Sequence, residues 1–225
     1  MKEISVFKKY NSIGILGGTF NPIHNGHLML AQRTRQQFPD IEKVIIMPNN
    51  KPAYKGNNEI TSPSERINMI KLAAKDYDYI EVSDIEIRRG GVTYSYDTLM
   101  QIKEINPEIK IFFIVGADSL FTIDKWYRYN DFLSMCTLLV ARRRSDYKDM
   151  LGYANKLKKR NSNLNIEFID SPEMDISSSA IRKFLSGYKI KDNEEKKARI
   201  EKYLDKRVPF TVKEYILNNY IYLKQ

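Results

Sequence analysis

Residues 17–27 read Gly-Gly-Thr-Phe-Asn-Pro-Ile-His-Asn-Gly-His, and this stretch decides how the rest of the chain is interpreted. The apolar run Ile13–Leu16 precedes it and is typical of a short buried strand. Apolar residues at helical spacing follow it, beginning at Leu28. The stretch is therefore expected to form a turn between a strand and a helix. Adjacent glycines and a helix N-terminus at such a turn are typical of a phosphate-binding loop.

The pattern differs from two common phosphate loops. The chain contains no G-x-x-x-x-G-K-[ST], and the glycines of this region do not form G-x-G-x-x-G. Instead the turn carries His24 and His27, the only histidines in the chain. If the helix begins at Gly26 or His27, both imidazoles can donate hydrogen bonds to phosphate oxygens.

The histidines have two alternative roles. In the first, both side chains only cap the helix or pack against it. In the second they bind zinc, but zinc sites need three or four protein ligands, and the chain has one Cys and no third His. Of the three roles, phosphate binding is the one that also accounts for the adjacent glycines.

Length and composition suit a soluble globular protein. The 225 residues are expected to form a single domain, 1–225, with a C-terminal helical part from about 177 to 225 packed on it. No apolar run approaches the roughly 18 residues of a membrane span, and the N-terminus does not resemble a signal peptide. The single Cys136 cannot form an internal disulfide. We therefore expect a cytoplasmic protein without membrane contact.

The net charge of +9 raises the question of nucleic-acid binding. Basic runs occur at Arg142–Arg144 and Lys156–Arg160, but no recognisable nucleic-acid module accompanies them. Substrates with several phosphates also favour a positive surface. Nucleic acid is therefore not an expected partner, and the oligomeric state, including a homo-oligomer, is left open.

Apolar segments of strand length alternate with segments of helix length. The strand-length segments are Ser12–Gly17, Lys43–Met47, Tyr79–Val82, Lys110–Val115, Thr137–Ala141 and Asn165–Ile169. This alternation predicts an α/β fold, a Rossmann-like, doubly wound, mostly parallel sheet with helices on both faces. Ligands of such sheets bind beyond the carboxyl ends of the strands, where the strand order reverses.

Two helix starts and one charged segment are also predicted. Ser62–Glu65 combines a capping box with a proline at the first helical position, and Thr211–Glu214 repeats the box near the C-terminus. Both helices are interpreted as scaffold. The densely charged stretch 189–206 is expected to be a solvated helix, and its role is left open.

A second candidate phosphate site follows the last strand. Residues 175–182 read Asp-Ile-Ser-Ser-Ser-Ala-Ile-Arg, and the serines are good N-cap residues for a short helix, Ala180–Leu185. Their hydroxyl and N–H groups could bind an anion, although a serine run before a helix is often only a cap. The two sites become one only if the fold brings both helix N-termini to the same sheet edge.

Together the two stretches resemble the H-x-G-H nucleotidylyltransferase superfamily. G-G-T-F-x-P-I-H-x-G-H resembles in particular the bacterial nicotinate-nucleotide adenylyltransferases, with Asn21 where that family usually has Asp. The second stretch resembles I-S-S-T-x-I-R, with Ser179 in place of Thr. The resemblance implies that His24, His27 and Arg182 are catalytic. It implies ATP binding by Gly17, Gly18, Thr19, Phe20, Asp118, Ser177 and Ser179.

Three further segments extend the resemblance. Residues 47–55 resemble the family's P-x-x-x-P-P-H-K loop, with Ala53 and Tyr54 replacing Pro and His; residues 89–99 resemble R-x-G-P-S-Y-T-x-D-T-L. Residues 116–120 with Trp126-Tyr127 resemble the G-A-D-S-L and W-Y elements, and the Trp126 ring is suited to stack on a pyridinium. The resemblance implies acceptor binding by Asn49, Lys55, Tyr94, Ser95, Trp126 and Arg143.

The implied reaction transfers the adenylyl group of ATP to nicotinate mononucleotide by direct in-line attack. Mg²⁺ is expected as cofactor, held mainly by the ATP phosphates and water, with no metal ligand assigned to the protein. One alternative is another H-x-G-H enzyme, such as pantetheine-phosphate adenylyltransferase or a cytidylyltransferase. The other is a protein that binds the nucleotide without turnover. The preference between nicotinate and nicotinamide mononucleotide is left open.

Overall fold

A computed structural model of the chain describes residues 4–53, 60–142, 145–172, 174–189 and 194–224. Within these ranges, six strands form one sheet and two short strands form another. In chain order the strands are β1 Ser12–Gly18, β2 Lys43–Pro48, β3 Lys51–Pro52, β4 Ile80–Val82, β5 Val92–Thr93, β6 Lys110–Val115, β7 Thr137–Ala141 and β8 Asn165–Ile169. The six predicted strands are all present, with ends that differ from the prediction by at most one residue.

The larger sheet has the strand order β4-β2-β1-β6-β7-β8, and every pair within it is parallel. Counted within this sheet alone, the order is 3-2-1-4-5-6, which is the order of the classic Rossmann fold. The direction of winding reverses between β1 and β6, whose registers pair Ile15 with Phe113 and Leu16 with Ile114. The crevice that binds ligands in such folds therefore opens beyond the carboxyl ends of β1 and β6.

Helices cover both faces of this sheet. They are α1 Ile4–Lys9, α2 Asn25–Gln37, α3 Pro63–Ala74, α4 Ile85–Arg89, α5 Ser95–Ile105, α6 Ala117–Leu120, α7 Tyr129–Ser134, α8 Tyr147–Arg160, α9 Ser178–Leu185, α10 Glu194–Asp205 and α11 Phe210–Asn218. A single 3₁₀ turn, Ile123–Lys125, is also described. None of the helices in the described ranges has the length and apolar content needed to cross a membrane.

The alternation of side chains along the strands separates two apolar clusters. Ile45 of β2 packs into a cluster with residues of α1, α5, α7 and α8, whereas its neighbours Val44 and Ile46 pack into a cluster with residues of α2, α3 and α9–α11. Successive residues of a strand point to opposite faces, so nearly continuous apolar runs are needed when both faces are buried. The α/β, Rossmann-like, doubly wound fold is confirmed; the extent of the domain stays a prediction.

The two predicted capping boxes have different outcomes. At α3 the box is confirmed, because Ser62 Oγ accepts from Glu65 N and Glu65 Oε2 accepts from Ser62 N, each at 3.2 Å. At α11 it is wrong, because the helix begins at Phe210, after Pro209. The Thr211 hydroxyl instead donates to the carbonyl of Leu72 in α3 at 2.9 Å. The hydroxyl that was expected to cap α11 therefore bonds to a different helix.

The expectation of a solvated helix over 189–206 is only partly correct. Residues 190–193 lie outside the described ranges, and α10 follows them. Its outer face is exposed, but Ile200 and Leu204 are buried in the second apolar cluster. The charges therefore cover one face of an amphipathic helix that packs against the protein.

Candidate active site

The turn after β1 is built around Phe20. Its backbone has φ 49°, in the left-handed region that non-glycine residues seldom adopt, and its side chain is only 2% exposed. The ring lies over Gly18, where an added Cβ would come within 3.1 Å of it. Gly18 therefore suits this local packing, because a side chain there would press against the Phe20 ring. Gly17 is exposed, Gly18 and Thr19 are half-buried, and all three stay candidates for ATP binding.

The two histidines lie together at the start of α2, which begins at Asn25 with His24 as N-cap. Their rings stack with centroids 3.7 Å apart and planes at 25°, and the Phe20 ring packs edge-on against His27 at 4.9 Å. The backbone N–H of His24 donates to His27 Nδ1 at 3.2 Å. A neutral His27 must therefore carry its proton on Nε2, the nitrogen farther from the backbone.

His24 is buried, with 7% of its surface exposed. Burial disfavours the charged imidazolium and lowers the pKa of His24 to about 4. Its Nδ1 is also buried and has no hydrogen-bond partner in the part of the chain that the structure describes. At neutral pH, His24 is thus a neutral imidazole that can donate one hydrogen bond.

The second predicted motif lies directly against this turn. Ser178 Oγ, in the first turn of α9, donates to the carbonyl of Pro22 at 2.8 Å. Arg182 Nη1 donates to the carbonyl of Asn21 at 2.8 Å, across a separation of 161 residues in the sequence. The parallel sheet therefore joins the two stretches at one edge, as the site required.

The serines at the start of α9 are arranged as an N-cap. Ser177 Oγ accepts from Ala180 N at 3.2 Å and lies 3.2 Å from Ser179 Oγ. Both serines are exposed, and the first turn of α9 contains no acidic residue. Their hydroxyls and the N-terminus of the helix are accessible to an anion.

Asn49 connects this turn to the predicted acceptor side. Its N–H donates to the carbonyl of Gly18 at 2.9 Å, and its Nδ2 donates to Thr19 Oγ1 at 3.3 Å. The next residue, Asn50, donates its N–H to Thr93 Oγ1 at 3.1 Å, and β3 pairs with β5. The loop after β2 is thereby bonded both to the phosphate turn and to the segment that leads into α5.

The predicted acceptor residues lie in this neighbourhood where they are described. Tyr94 is the N-cap of α5, Ser95 is its first residue, and the Tyr94 ring lies 4.8 Å from that of Tyr127. Trp126 is half-buried and packs on the edge of the first apolar cluster, including Phe132 at 5.6 Å. Three residues singled out from the sequence lie outside the described ranges, namely Tyr54, Lys55 and Arg143.

Asp118 occupies the other wall of the crevice. It lies in α6, directly beyond the carboxyl end of β6, and its side chain is exposed. Since β6 is the neighbour of β1 at the point where the strand order reverses, Asp118 is at the position expected of a ligand-binding side chain.

Arg66 is a residue of this region that the sequence patterns did not single out. Its side chain is fully buried, and its Nη1 donates to the carbonyls of Thr19 and Asn49, each at 2.9 Å. Its Nε donates to the carbonyl of Thr61 at 3.2 Å. The guanidinium therefore links the phosphate turn to the acceptor loop. The available signal was an arginine on the apolar face of α3, beside Met69 and Ile70.

The segment of residues 89–99 also contains a buried structural network. Thr98 Oγ1 donates to Glu86 Oε1 at 2.7 Å and accepts from Arg89 Nη2 at 2.8 Å. Burial raises the pKa of Glu86 to about 7. Because Thr98 lies one turn after Tyr94, this network fixes the start of α5 beneath the predicted acceptor site.

In the ranges that the structure describes, His, Cys, Asp and Glu side chains form no group of three or more that could hold a metal ion.

Comparison with known proteins agrees with this geometry. A family model described as Cytidylyltransferase-like matches residues 15–184, which contain both motifs. A relative from Dehalococcoides mccartyi, named "Probable nicotinate-nucleotide adenylyltransferase", is 40% identical over 171 residues, which cover 75% of this chain and 82% of the relative. The chain belongs to the nicotinate-nucleotide adenylyltransferase family.

Other members of this family match more of the chain. A relative with the same name from Streptococcus pyogenes is 34% identical over 210 residues, covering 93% of this chain and 88% of its own length. Among solved structures, Plasmodium falciparum nicotinic acid mononucleotide adenylyltransferase complexed with NaAD superposes with a TM-score of 0.71. That match covers 95% of this chain and 98% of the other at 21% identity, and it shows that the fold is shared.

Proposed function

We propose that this protein transfers the adenylyl group of ATP to nicotinate mononucleotide, forming nicotinate adenine dinucleotide (deamido-NAD) and pyrophosphate, a step of NAD biosynthesis. The observation that carries the proposal is the pair of hydrogen bonds by which Ser178 and Arg182 contact the turn before His24. These bonds place two candidate phosphate sites side by side, which suits a triphosphate. Membership of the family supports the choice of acceptor.

The reaction needs positioning and charge stabilisation more than it needs a base. The acceptor phosphate is ionised at neutral pH, so its oxygen can attack the α-phosphorus of ATP directly and in line with the departing pyrophosphate. Negative charge then grows on the phosphate oxygens. His24, as a neutral imidazole, and His27 donate hydrogen bonds to these oxygens, together with the amides of Thr19 and Phe20.

The β- and γ-phosphates bind at the start of α9 in this proposal. Ser177 and Ser179 supply hydroxyls, and Arg182 supplies positive charge on the same side as the histidines. Divalent metal is generally used by nucleotidyltransferases. Here Mg²⁺, bound chiefly by phosphate oxygens and water, would neutralise charge on the leaving pyrophosphate.

The acceptor binds on the side of the crevice where β3 pairs with β5. Trp126 stacks on the pyridinium ring, and the start of α5 at Tyr94 and Ser95 presents N–H groups to the nicotinate carboxylate. Asn49 lies between this region and the phosphate turn. Asp118 accepts hydrogen bonds from ribose hydroxyls. The family resemblance assigns Lys55 and Arg143 to the acceptor phosphate.

Pyrophosphate release tests the proposal. The protein is incubated with ATP, Mg²⁺ and nicotinate mononucleotide, with nicotinamide mononucleotide or with phosphopantetheine at matched concentrations, and CTP replaces ATP in a parallel series. We expect release that depends on nicotinate mononucleotide and ATP, with formation of the dinucleotide. A reaction without acceptor measures background hydrolysis.

Each other outcome has a defined meaning. Faster turnover with phosphopantetheine, or with CTP, would show that another H-x-G-H transferase activity is correct. ATP binding without pyrophosphate release for any acceptor would show a nucleotide-binding protein without turnover and would overturn the proposal.

A further inference from the structure

Asn21 lies at the centre of the turn that carries both histidines. Its side chain is 3% exposed, and its carbonyl accepts the hydrogen bond from Arg182. Its Oδ1 accepts two further hydrogen bonds, from the N–H of Thr61 at 3.3 Å and from the hydroxyl of Tyr222 at 2.8 Å. Three distant parts of the chain therefore meet at one residue, two at its side chain and one at its backbone carbonyl.

Tyr222 reaches this position from the C-terminal segment that follows α11. Its backbone has φ 69°, a left-handed conformation that is costly for an aromatic residue and persists only when the surroundings hold it. Phe20, beside Asn21, also has positive φ. The hydrogen bond thus joins two backbone segments that are each held in an unfavourable conformation.

The C-terminal segment is itself fixed on both sides of Tyr222. The N–H of Ile221 donates to the carbonyl of Ile216 at 3.0 Å, and the N–H of Lys224 donates to the carbonyl of Tyr188 at 2.9 Å. The Ile221 side chain is buried in the second apolar cluster. A hydroxyl on so well anchored a segment can restrain the turn that it contacts.

The phenol of Tyr222 acts as a neutral donor over the working pH range. Burial raises its pKa well above the usual value for tyrosine. The amide oxygen of Asn21 has lone pairs for both of its donors. The phenol therefore stays protonated at neutral pH, and the contact is tested by substitution.

We infer that Tyr222 is a positioning residue, whose hydroxyl holds Asn21 and thereby fixes the turn that presents His24 and His27 beside Arg182. It contacts neither the histidines nor the serines of α9 through any hydrogen bond in the described part of the chain. Its effect on the reaction is transmitted through the backbone of residues 20–24. The expected change in kcat rests on the proposed adenylyl transfer.

The test compares two tyrosines of the C-terminal segment, of which only Tyr222 has a hydroxyl that reaches Asn21 in the described structure. Tyr222→Phe removes the hydroxyl that reaches Asn21, and Tyr220→Phe removes the hydroxyl of an exposed tyrosine with a similar backbone, φ 53°. Because misplaced catalytic groups lower the rate of the chemical step, we expect about a tenfold lower kcat for Tyr222→Phe. KM for both substrates should stay within about twofold, and Tyr220→Phe should match the parent.

A double-mutant cycle shows whether the hydroxyl acts through Asn21. In an Asn21→Ala background, Tyr222→Phe should cause no further loss of kcat, because the acceptor is already absent. Asn21→Ala alone should lower kcat at least as much as Tyr222→Phe does. All assays are run below the lowest melting temperature of the set. Parental kcat in Tyr222→Phe, or the same tenfold loss in both backgrounds, would overturn the inference.

Hydrogen exchange separates this inference from the proposed function. If the parent released no pyrophosphate, the proposed function would fail, but the restraint on the turn could still be measured. Amides of residues 19–25 should exchange faster in Tyr222→Phe than in the parent, and at the parental rate in Tyr220→Phe. Equal exchange in all three proteins would overturn the inference without any kinetic data.

Discussion

α2 and α3 lie on the same face of the sheet, but their first turns differ in capping residues and in charge. At α3, Ser62 caps the helix and Glu65 supplies a carboxylate to the same turn. At α2, the corresponding positions are His24 and His27, and no acidic residue is present. The spacing of the two pairs is identical, but the pair at α2 contains no carboxylate.

This difference separates a structural helix start from one that can bind a ligand. The N-terminus of a helix favours negative charge, and at α3 the protein provides that charge itself. At α2 and at α9 the first turn contains no carboxylate, so a phosphate can take that place. The charge of the first turn therefore separates α3 from α2 and α9.

Substitution of His27 tests this comparison with the largest expected effect. Loss of one preorganised donor to a transition-state oxyanion typically costs about 10²–10³ in rate, so His27→Ala should lower kcat by that factor. ATP affinity, measured by calorimetry, should change much less, because the donor acts mainly on charge that develops in the reaction.

Two amide variants sharpen this result. His27→Asn can keep an acceptor for the N–H of His24 but has no donor at the position of Nε2, and it should be as slow as His27→Ala. His27→Gln places a donor near that position and should be the more active of the two. Exposed Gln36 in the same helix provides the control, Gln36→Ala. Parental kcat in His27→Asn would exclude a role for the Nε2 donor.

The buried imidazole of His24 predicts a dependence of stability on pH. In the unfolded chain its pKa is about 6.5, whereas burial lowers it to about 4 in the folded protein. Between these values the unfolded chain binds the proton more readily, so the free energy of unfolding falls as the pH falls. At pH 5 the loss should be about 2 kcal/mol relative to pH 7.

His24→Asn isolates this contribution. Asparagine is a good N-cap residue and does not titrate, so the variant should lose less stability between pH 7 and pH 5 than the parent. Urea unfolding at both pH values measures the difference. Glu86, whose raised pKa has the opposite effect between about 4.5 and 7, is present in both proteins and cancels. Equal pH dependence in the two proteins would show that His24 is not buried as a neutral base.

Patterns of local sequence were enough to predict the sheet and the start of α3. The strands are nearly continuous apolar runs, and Ser62 and Glu65 satisfy each other within four residues. The meeting of the two motifs was also predictable, because parallel strands place their carboxyl ends at one edge. The functional roles of these residues remain predictions.

Contacts that depend on the tertiary fold could not be predicted in this way. Arg66 donates to carbonyls of two distant segments, at Thr19 and Asn49, and backbone carbonyls carry no sequence signal. Tyr222 lies in an apolar C-terminal stretch that was interpreted as scaffold. The hydroxyl of Thr211 finds an acceptor in α3 in place of its own helix. In each case the partner is defined only once distant parts of the chain are packed together.

The smallest predicted effect comes from making α9 resemble α3. Ser177 is the N-cap of α9 and Ala180 occupies the position of Glu65, so Ala180→Glu would create the same capping box on an exposed residue. The new carboxylate should stabilise the protein by about 0.3–1 kcal/mol. It would also stand where phosphates are proposed to bind, so KM for ATP should rise by about tenfold, or 1.4 kcal/mol.

Ala180→Gln, which adds the same length without charge, should leave KM within about twofold. Since stability and ATP binding move in opposite directions only if the start of α9 receives an anion, a stabilised Ala180→Glu variant with parental KM would place the triphosphate elsewhere.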